Sequence, residues 1–315
     1  MKPQRIVLLV ALAAIIGLGI FAVTRNDDTQ KNSDKLQVAA TYYPLYDFAR
    51  NVAGDKAAVT NITPAGAEPH DFDPSPKTLV DTQKADVFIY NGGTMEPWVD
   101  KFIHDYKHVA VKASSGIDLL HGEDHHEDEA GSDGHEEEGE ALDPHFWLDP
   151  VLAQKIVNNI RDGLIKADPA NKDAYAANAK AYNAKLAQLD SDIKDGLSTC
   201  NQNTVISSHE AMSYYAKRYG FTAEAISGIS TEQEPSAARM AEIADLVKEK
   251  NINYIFFESL VSPRLADTIA QETGAKTLVF DPIEGLSNEG QEQGKNYLSI
   301  QKENLRNVEL ALACS

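Results

Sequence analysis

Basic side chains are scarce in this chain: 29 Lys and Arg face 48 Asp and Glu, a formal charge of −19. Such an excess excludes nucleic acid and anionic lipid surfaces as electrostatic partners and suits a cation. The deficit is sharpest between His121 and Glu140, where ten acidic residues fall and no Lys or Arg occurs. H-E-x-x-H and G-x-S-x-G are also missing, which removes the usual signatures of a zinc peptidase and a serine hydrolase. Cysteine is reduced to Cys200 and Cys314, so at most one internal bridge can form. What is present, 43% hydrophobic and 24% charged residues over 315 positions, suffices for two soluble domains with their own cores.

Lys2 and Arg5 precede an unbroken apolar run from Ile6 to Val23, followed by the polar stretch TRNDDTQKNSDK. Roughly 18 residues lie at the lower limit for crossing a bilayer and exceed the usual signal-peptide core. The run shows no clear small-x-small cleavage site and no Cys near its end to carry a lipid. Residues 1–35 are therefore expected to form a membrane anchor and a flexible tether, with a removed signal peptide as the alternative. In either case the positive flank stays inside and the remainder is exported. The expected location is the extracytoplasmic face of the membrane or the periplasm. There Cys200 and Cys314 can oxidise to a disulfide, which would tie down the penultimate residue and contribute up to ~4.7 kcal/mol.

From Leu36 onward, short β-rich runs alternate with helical ones: LQVAATYYP, AAVTNITP, ADVFIYNGG and HVAVKAS. Residues 36–167 are expected to form a first lobe. Within it, residues 120–141 are low-complexity His, Asp, Glu and Gly, expected as a disordered surface loop. A helix resumes at about Pro150. The next segment, residues 168–198, reads as one long helix. Asp168 can cap it, and Pro169 suits its first turn. Tyr175, Ala179, Tyr182, Leu186, Leu189 and Ile193 then draw a single apolar stripe. At 1.5 Å per residue such a helix spans ~40 Å, the length of a strut between two domains.

A second β/α series fills residues 199–315: TVISS, the helical EAMSYYAKRYG, then TAEAIS. Ser236 starts a helix with Met240, Ile243 and Val247 on one face. NYIFFES, a helix near Pro263 to Glu272, KTLVF and a final helix from about Gly294 follow. This alternation predicts the α/β class: two α/β lobes with largely parallel sheets, joined by one long helix.

Four segments place a metal-binding side chain just beyond a strand or just ahead of a helix. They are AEPHDFDPSP with His70, LDPHFWLDP with His145, SSHEAM with His209, and KTLVFDPIEGL with Asp281 and Glu284. In open α/β sheets the loops at the carboxyl ends of the strands converge on a crevice. A metal clamped between two domains would require ligands at such loops, two from each half. Each segment alone is weak, and the Asp-Pro pairs around His145 also fit turn and cap chemistry.

These segments, together with AATYYPLYDFA, ADVFIYNGGTMEPWV, ISSHEAMSYYAKRYG and ISGISTEQEPS, resemble the metal-receptor family of ABC solute-binding proteins, and its zinc branch in particular. The similarity covers residues 36–313. It implies two lobes joined by one long rigid helix, with the metal between them, and it implies a monomer. It makes His70, His145 and His209 the nitrogen ligands and puts the fourth, a carboxylate, in the loop after KTLVF. Glu284 is favoured there because zinc relatives resemble the IEGL portion, with Asp281 the alternative. Glu68 and Glu210 adjoin histidines and are expected only as neighbouring acids.

Three neutral imidazoles and one carboxylate suit Zn²⁺, whereas manganese prefers more oxygen ligands. Manganese relatives resemble a site with Glu where this chain has His209. The resemblance therefore implies a zinc carrier serving an ABC importer permease, with Zn²⁺ as transported ligand. The alternatives are a carrier of manganese or another divalent metal, or an adhesin. An exported zinc hydrolase is disfavoured, because catalytic zinc keeps one position open. His121, His125, His126 and His135 lie among carboxylates, the composition of a loose divalent-cation collector.

Overall fold

The structure is a computed structural model, and it describes residues 35–122, 142–229 and 234–315. The anchor, the tether and most of the acidic loop lie outside the described residues. Among the described residues, no helix is long and apolar enough to cross a membrane.

The first half builds four strands: β1 (Leu36–Ala40), β2 (Ala57–Asn61), β3 (Val87–Tyr90) and β4 (Val109–Lys112). They pair in the order β2-β1-β3-β4, all parallel. The second half repeats the plan with β5 (Thr204–Ser207), β6 (Thr222–Ala225), β7 (Tyr254–Phe257) and β8 (Lys276–Val279). Their order is β6-β5-β7-β8, again all parallel. The protein thus has two α/β lobes, each with a parallel sheet.

Strand periodicity decides which cluster each side chain joins. Val38, Ala40, Val87 and Ile89 enter the large core, whereas Ala39 and Phe88 turn to the opposite face and pack with Val99, Phe102 and Tyr106. In the second lobe Val205 and Phe256 join the large core, while Ile206 and Ile255 pack beneath Ile243, Val247 and Ile269. Both sheets are covered on both faces, as parallel sheets require. The large core is continuous between the lobes, running from Leu45 and Phe48 to Phe280, Tyr297 and Val308.

Two long helices follow the first sheet. Helix α4 (Pro150–Ala167) is capped by Asp149, whose carboxylate accepts from the N–H groups of Val151 and Leu152. The first three helices precede it, at Tyr43–Ala53 (α1), Pro76–Thr82 (α2) and Val99–Ile103 (α3). Helix α5 (Lys172–Gly196) has 25 residues, about 37 Å, and its buried positions are Tyr175, Ala179, Tyr182, Leu186, Leu189 and Ile193. The apolar stripe of the sequence is therefore its buried face.

The expected start of α5 needs correction. Pro169–Asn171 form a 3₁₀ turn first, and Asn171 occupies the cap position without a side-chain cap bond. The Asp168 carboxylate instead accepts from Asn171 Nδ2 at 2.6 Å and from the Tyr175 hydroxyl at 2.8 Å. It also accepts backbone N–H groups of Ala170 and Asn171, so it serves the 3₁₀ turn rather than the first turn of α5.

The remaining helices are α6 (Ser213–Tyr219), α7 (Ala237–Glu249), α8 (Arg264–Thr273), α9 (Asn288–Glu292) and α10 (Tyr297–Ala311). Helix α6 starts later than its sequence pattern, because Glu210–Met212 remain in the loop carrying His209. The short α9 is unforeseen, and α10 begins at Tyr297 behind an Asn296–Ser299 capping box. Cys200 and Cys314 form a disulfide that pins the C-terminus beside the entry to β5.

Candidate metal site

His70 lies in the loop between β2 and α2, and His145 lies beyond β4, directly before a 3₁₀ turn at Phe146–Leu148. His209 stands two residues past β5, and Glu284 sits in the loop past β8. All four leave the carboxyl ends of strands, two from each sheet. The cleft between the lobes brings them together: one ligand atom from each lies within 4.8 Å of all the others.

The distances are those of a coordination shell. His145 Nε2 is 3.2 Å from His70 Nε2, 3.2 Å from His209 Nε2 and 3.0 Å from Glu284 Oε1. Glu284 Oε1 is 3.5 Å from His70 Nε2 and 3.3 Å from His209 Nε2. A zinc tetrahedron with bonds near ~2.0–2.1 Å has edges of about 3.4 Å, and these five separations are close to that value. The side chains of His145 and His209 are fully buried, and that of His70 is 5% exposed. Of the three imidazoles, His70 is therefore the nearest to water.

Each interior imidazole is fixed from behind. His145 Nδ1 meets Asp143 Oδ1 at 2.7 Å, and the same oxygen accepts the His145 backbone N–H at 2.9 Å. His209 Nδ1 meets Glu258 Oε1 at 2.6 Å. A carboxylate can only accept, so both Nδ1 atoms carry the proton and both Nε2 atoms face the centre. Four converging acceptors repel one another unless protons or a cation intervene.

The electrostatics register this. Complete burial opposes the charged form of His145, but Asp143 and then Glu284 hold it above the ordinary histidine value. Burial likewise opposes charge on His209, yet Glu258 and Glu284 raise it well above that value. Burial also disfavours the Glu284 carboxylate, and the surrounding imidazoles, His209 foremost, hold it well below the usual carboxyl range. Glu68, whose carboxylate accepts the His70 backbone N–H at 3.2 Å, is pushed up to about 9 by burial and the charge of Glu284.

Asp281 stays outside the cluster. Its Oδ1 accepts the Ile283 N–H at 2.7 Å, which shapes the loop presenting Glu284. Glu68 and Glu210 are not members either. Sequence reasoning did not single out Asp143 and Glu258 as orienting acids. Glu258 carries a legible signal, because it directly follows the end of β7 and so shares the topological position of the four clustered residues. Asp143 was visible only as half of an Asp-Pro pair.

Two parallel-sheet lobes with ligand-type side chains in the cleft between them define a two-lobed solute-binding architecture. The family model for "zinc-uptake complex component A, periplasmic" (ZnuA) matches residues 38–311, and the chain belongs to this family. It is 44% identical over 275 residues to the high-affinity zinc uptake system protein ZnuA of Bacillus subtilis (strain 168), covering 86% of each chain. It is 42% identical over 301 residues to the zinc-binding lipoprotein AdcA of Streptococcus pneumoniae (strain ATCC BAA-255 / R6), covering 94% of this chain but only 59% of that relative. Among solved structures, the Zn(II)-bound ZnuA-like domain of Streptococcus pneumoniae AdcA superposes with a TM-score of 0.74 at 39% identity, covering 88% of this chain and 99% of that one.

Proposed function

We propose that this protein captures one Zn²⁺ between its lobes through His70, His145, His209 and Glu284 and hands it to the permease of an ABC importer. The observation that carries the reading is the convergence of three imidazole Nε2 atoms and one carboxylate at tetrahedral spacing in a buried cleft. Four protein ligands leave no position for a catalytic water, which favours carriage over hydrolysis. A single carboxylate is a poor match for manganese.

Zinc entering past His70 displaces the protons held by His145 and His209 and meets an already ionised Glu284. Two imidazoles and one carboxylate are then neutral or paired within a site that excludes water. Release requires the lobes to part, since neither lobe holds more than two of the ligands. The protein is expected to act as a monomer on the extracytoplasmic side, held at the membrane by residues 6–23 or free in the periplasm. Isothermal titration of zinc into His209→Ala tests the assignment. A large loss of affinity at the tight site is expected, and unchanged affinity would remove His209 from it.

A further inference from the structure

Ile283, directly before Glu284, has φ 61° and is fully buried. A β-branched residue in the left-handed region is a genuine outlier, and such strain persists only where the surroundings over-determine it. The surroundings do so from both lobes. Within the second lobe, Asp281 Oδ1 accepts the Ile283 N–H at 2.7 Å, and Asn304 clamps the Asp281 backbone, accepting its N–H at 2.9 Å and donating to its C=O at 2.7 Å. From the first lobe, the Trp147 indole N–H donates to the Pro282 carbonyl at 2.8 Å, and the Gly66 N–H donates to the Leu286 carbonyl at 2.8 Å.

Trp147 is well placed to sense the cleft. It stands two residues after His145 and bonds the residue two before Glu284. Its ring lies 5.2 Å from the His145 ring, and its own carbonyl accepts the Tyr297 hydroxyl at 2.6 Å. One side chain therefore ties a ligand of the first lobe to the loop presenting a ligand of the second.

We propose that Trp147 is a positioning residue whose indole N–H holds the strained Pro282–Ile283 turn so that Glu284 points at the three imidazoles, and that parting of the lobes breaks this latch and withdraws the carboxylate. The inference rests on the zinc-carrier reading. The strain at Ile283 is comparable in size to the cross-lobe hydrogen bonds that oppose it. Loss of the Trp147 and Gly66 bonds on opening removes the first lobe's share of the restraint and favours relaxation of the turn. Metal release then needs no separate trigger at Glu284.

The test is stopped-flow release of zinc into excess chelator from the full chain. The proteins compared are wild type, Trp147→Phe, Glu284→Gln and the double variant. Trp147→Phe keeps an aromatic ring and removes the N–H, so release should quicken about fivefold, the worth of one hydrogen bond. In the Glu284→Gln background the same change should add nothing, because the latch acts through that carboxylate. Unchanged release in Trp147→Phe, or accelerations that multiply in the double variant, would overturn the latch alone. Wild-type protein that takes up no zinc would overturn the carrier function and the latch with it.

Gly285→Ala gives an independent arm should Trp147→Phe fold poorly. A Cβ at Gly285 would lie 2.9 Å from Leu260 Cδ1 and 3.2 Å from the Ala67 carbonyl oxygen of the first lobe, tighter than ordinary contact, so the loop must shift slightly away from that carbonyl. It too should speed release in the wild-type background and not in Glu284→Gln. Independence from Glu284 would count against the latch.

Discussion

His209 donates its Nδ1 proton to Glu258 Oε1 at 2.6 Å, and this bond decides which face of the imidazole looks into the cleft. The partner is 49 residues away in the chain, directly past β7, the strand that pairs with the β5 strand leading to His209. Orienting carboxylates of this kind fix the ring and raise its basicity toward a metal. Glu258→Ala is therefore expected to weaken zinc binding about 10- to 100-fold, as read by competition with a chromophoric chelator. An affinity equal to the wild type would remove the orienting role.

Acidity should matter sooner than a free histidine would suggest. In the metal-free protein, His145 and His209 keep their protons above the ordinary value of 6.5, and zinc must displace those protons. Zinc affinity is expected to decline on acidification from above ~6.5 rather than at it. Titrations across pH, with the proton release measured in two buffers, check this.

The same groups set the stability of the metal-free protein. The raised histidines contribute stability that is fully present below their unfolded value and lost as pH rises through their folded values. The depressed Glu284 contributes stability that is present above the ordinary carboxyl value and lost as pH falls through its folded value. Metal-free protein should therefore melt higher near pH ~6 than near pH ~9, and saturating zinc should raise the Tm most at the alkaline end. Calorimetry with and without zinc reads both trends.

Asp281 and Glu284 separate cleanly by experiment. Burial pushes the Asp281 carboxyl up to about 6, and its role is to accept the Ile283 N–H. Asp281→Asn keeps that acceptor and should bind zinc much as the wild type does. Glu284→Gln removes the only negative charge of the four and should cost at least about tenfold in affinity. The reverse ranking would reassign the fourth ligand.

The Cys200–Cys314 bridge sits at the entry to β5, whereas His209 follows its exit. Reduction should lower the unfolding free energy by about 2–4 kcal/mol and leave zinc affinity unchanged. Denaturant melts and zinc titrations of the oxidised and reduced protein test the two halves of this statement.

All eight strands were legible as short β-branched or alternating runs, and the buried stripe of α5 could be read residue by residue from Tyr175 to Ile193. The reason is that strand and helix periods are local, and a buried face repeats within a few residues. Topology was accessible too, because alternating β and α units in a parallel sheet send their loops to one end. Hence the sequence alone gathers His70, His145 and His209 into one crevice. Two features resisted. Which of Asp281 and Glu284 faces the imidazoles depends on a left-handed Ile283 in a loop held by Asn304 and Trp147, contacts that span 23 and 135 residues. The orienting pair His209–Glu258 depends on adjacency in the sheet. The chain alone determined which residue types reach the cleft. Only the packed tertiary structure decided which way each side chain points, because that direction is set by neighbours remote in sequence.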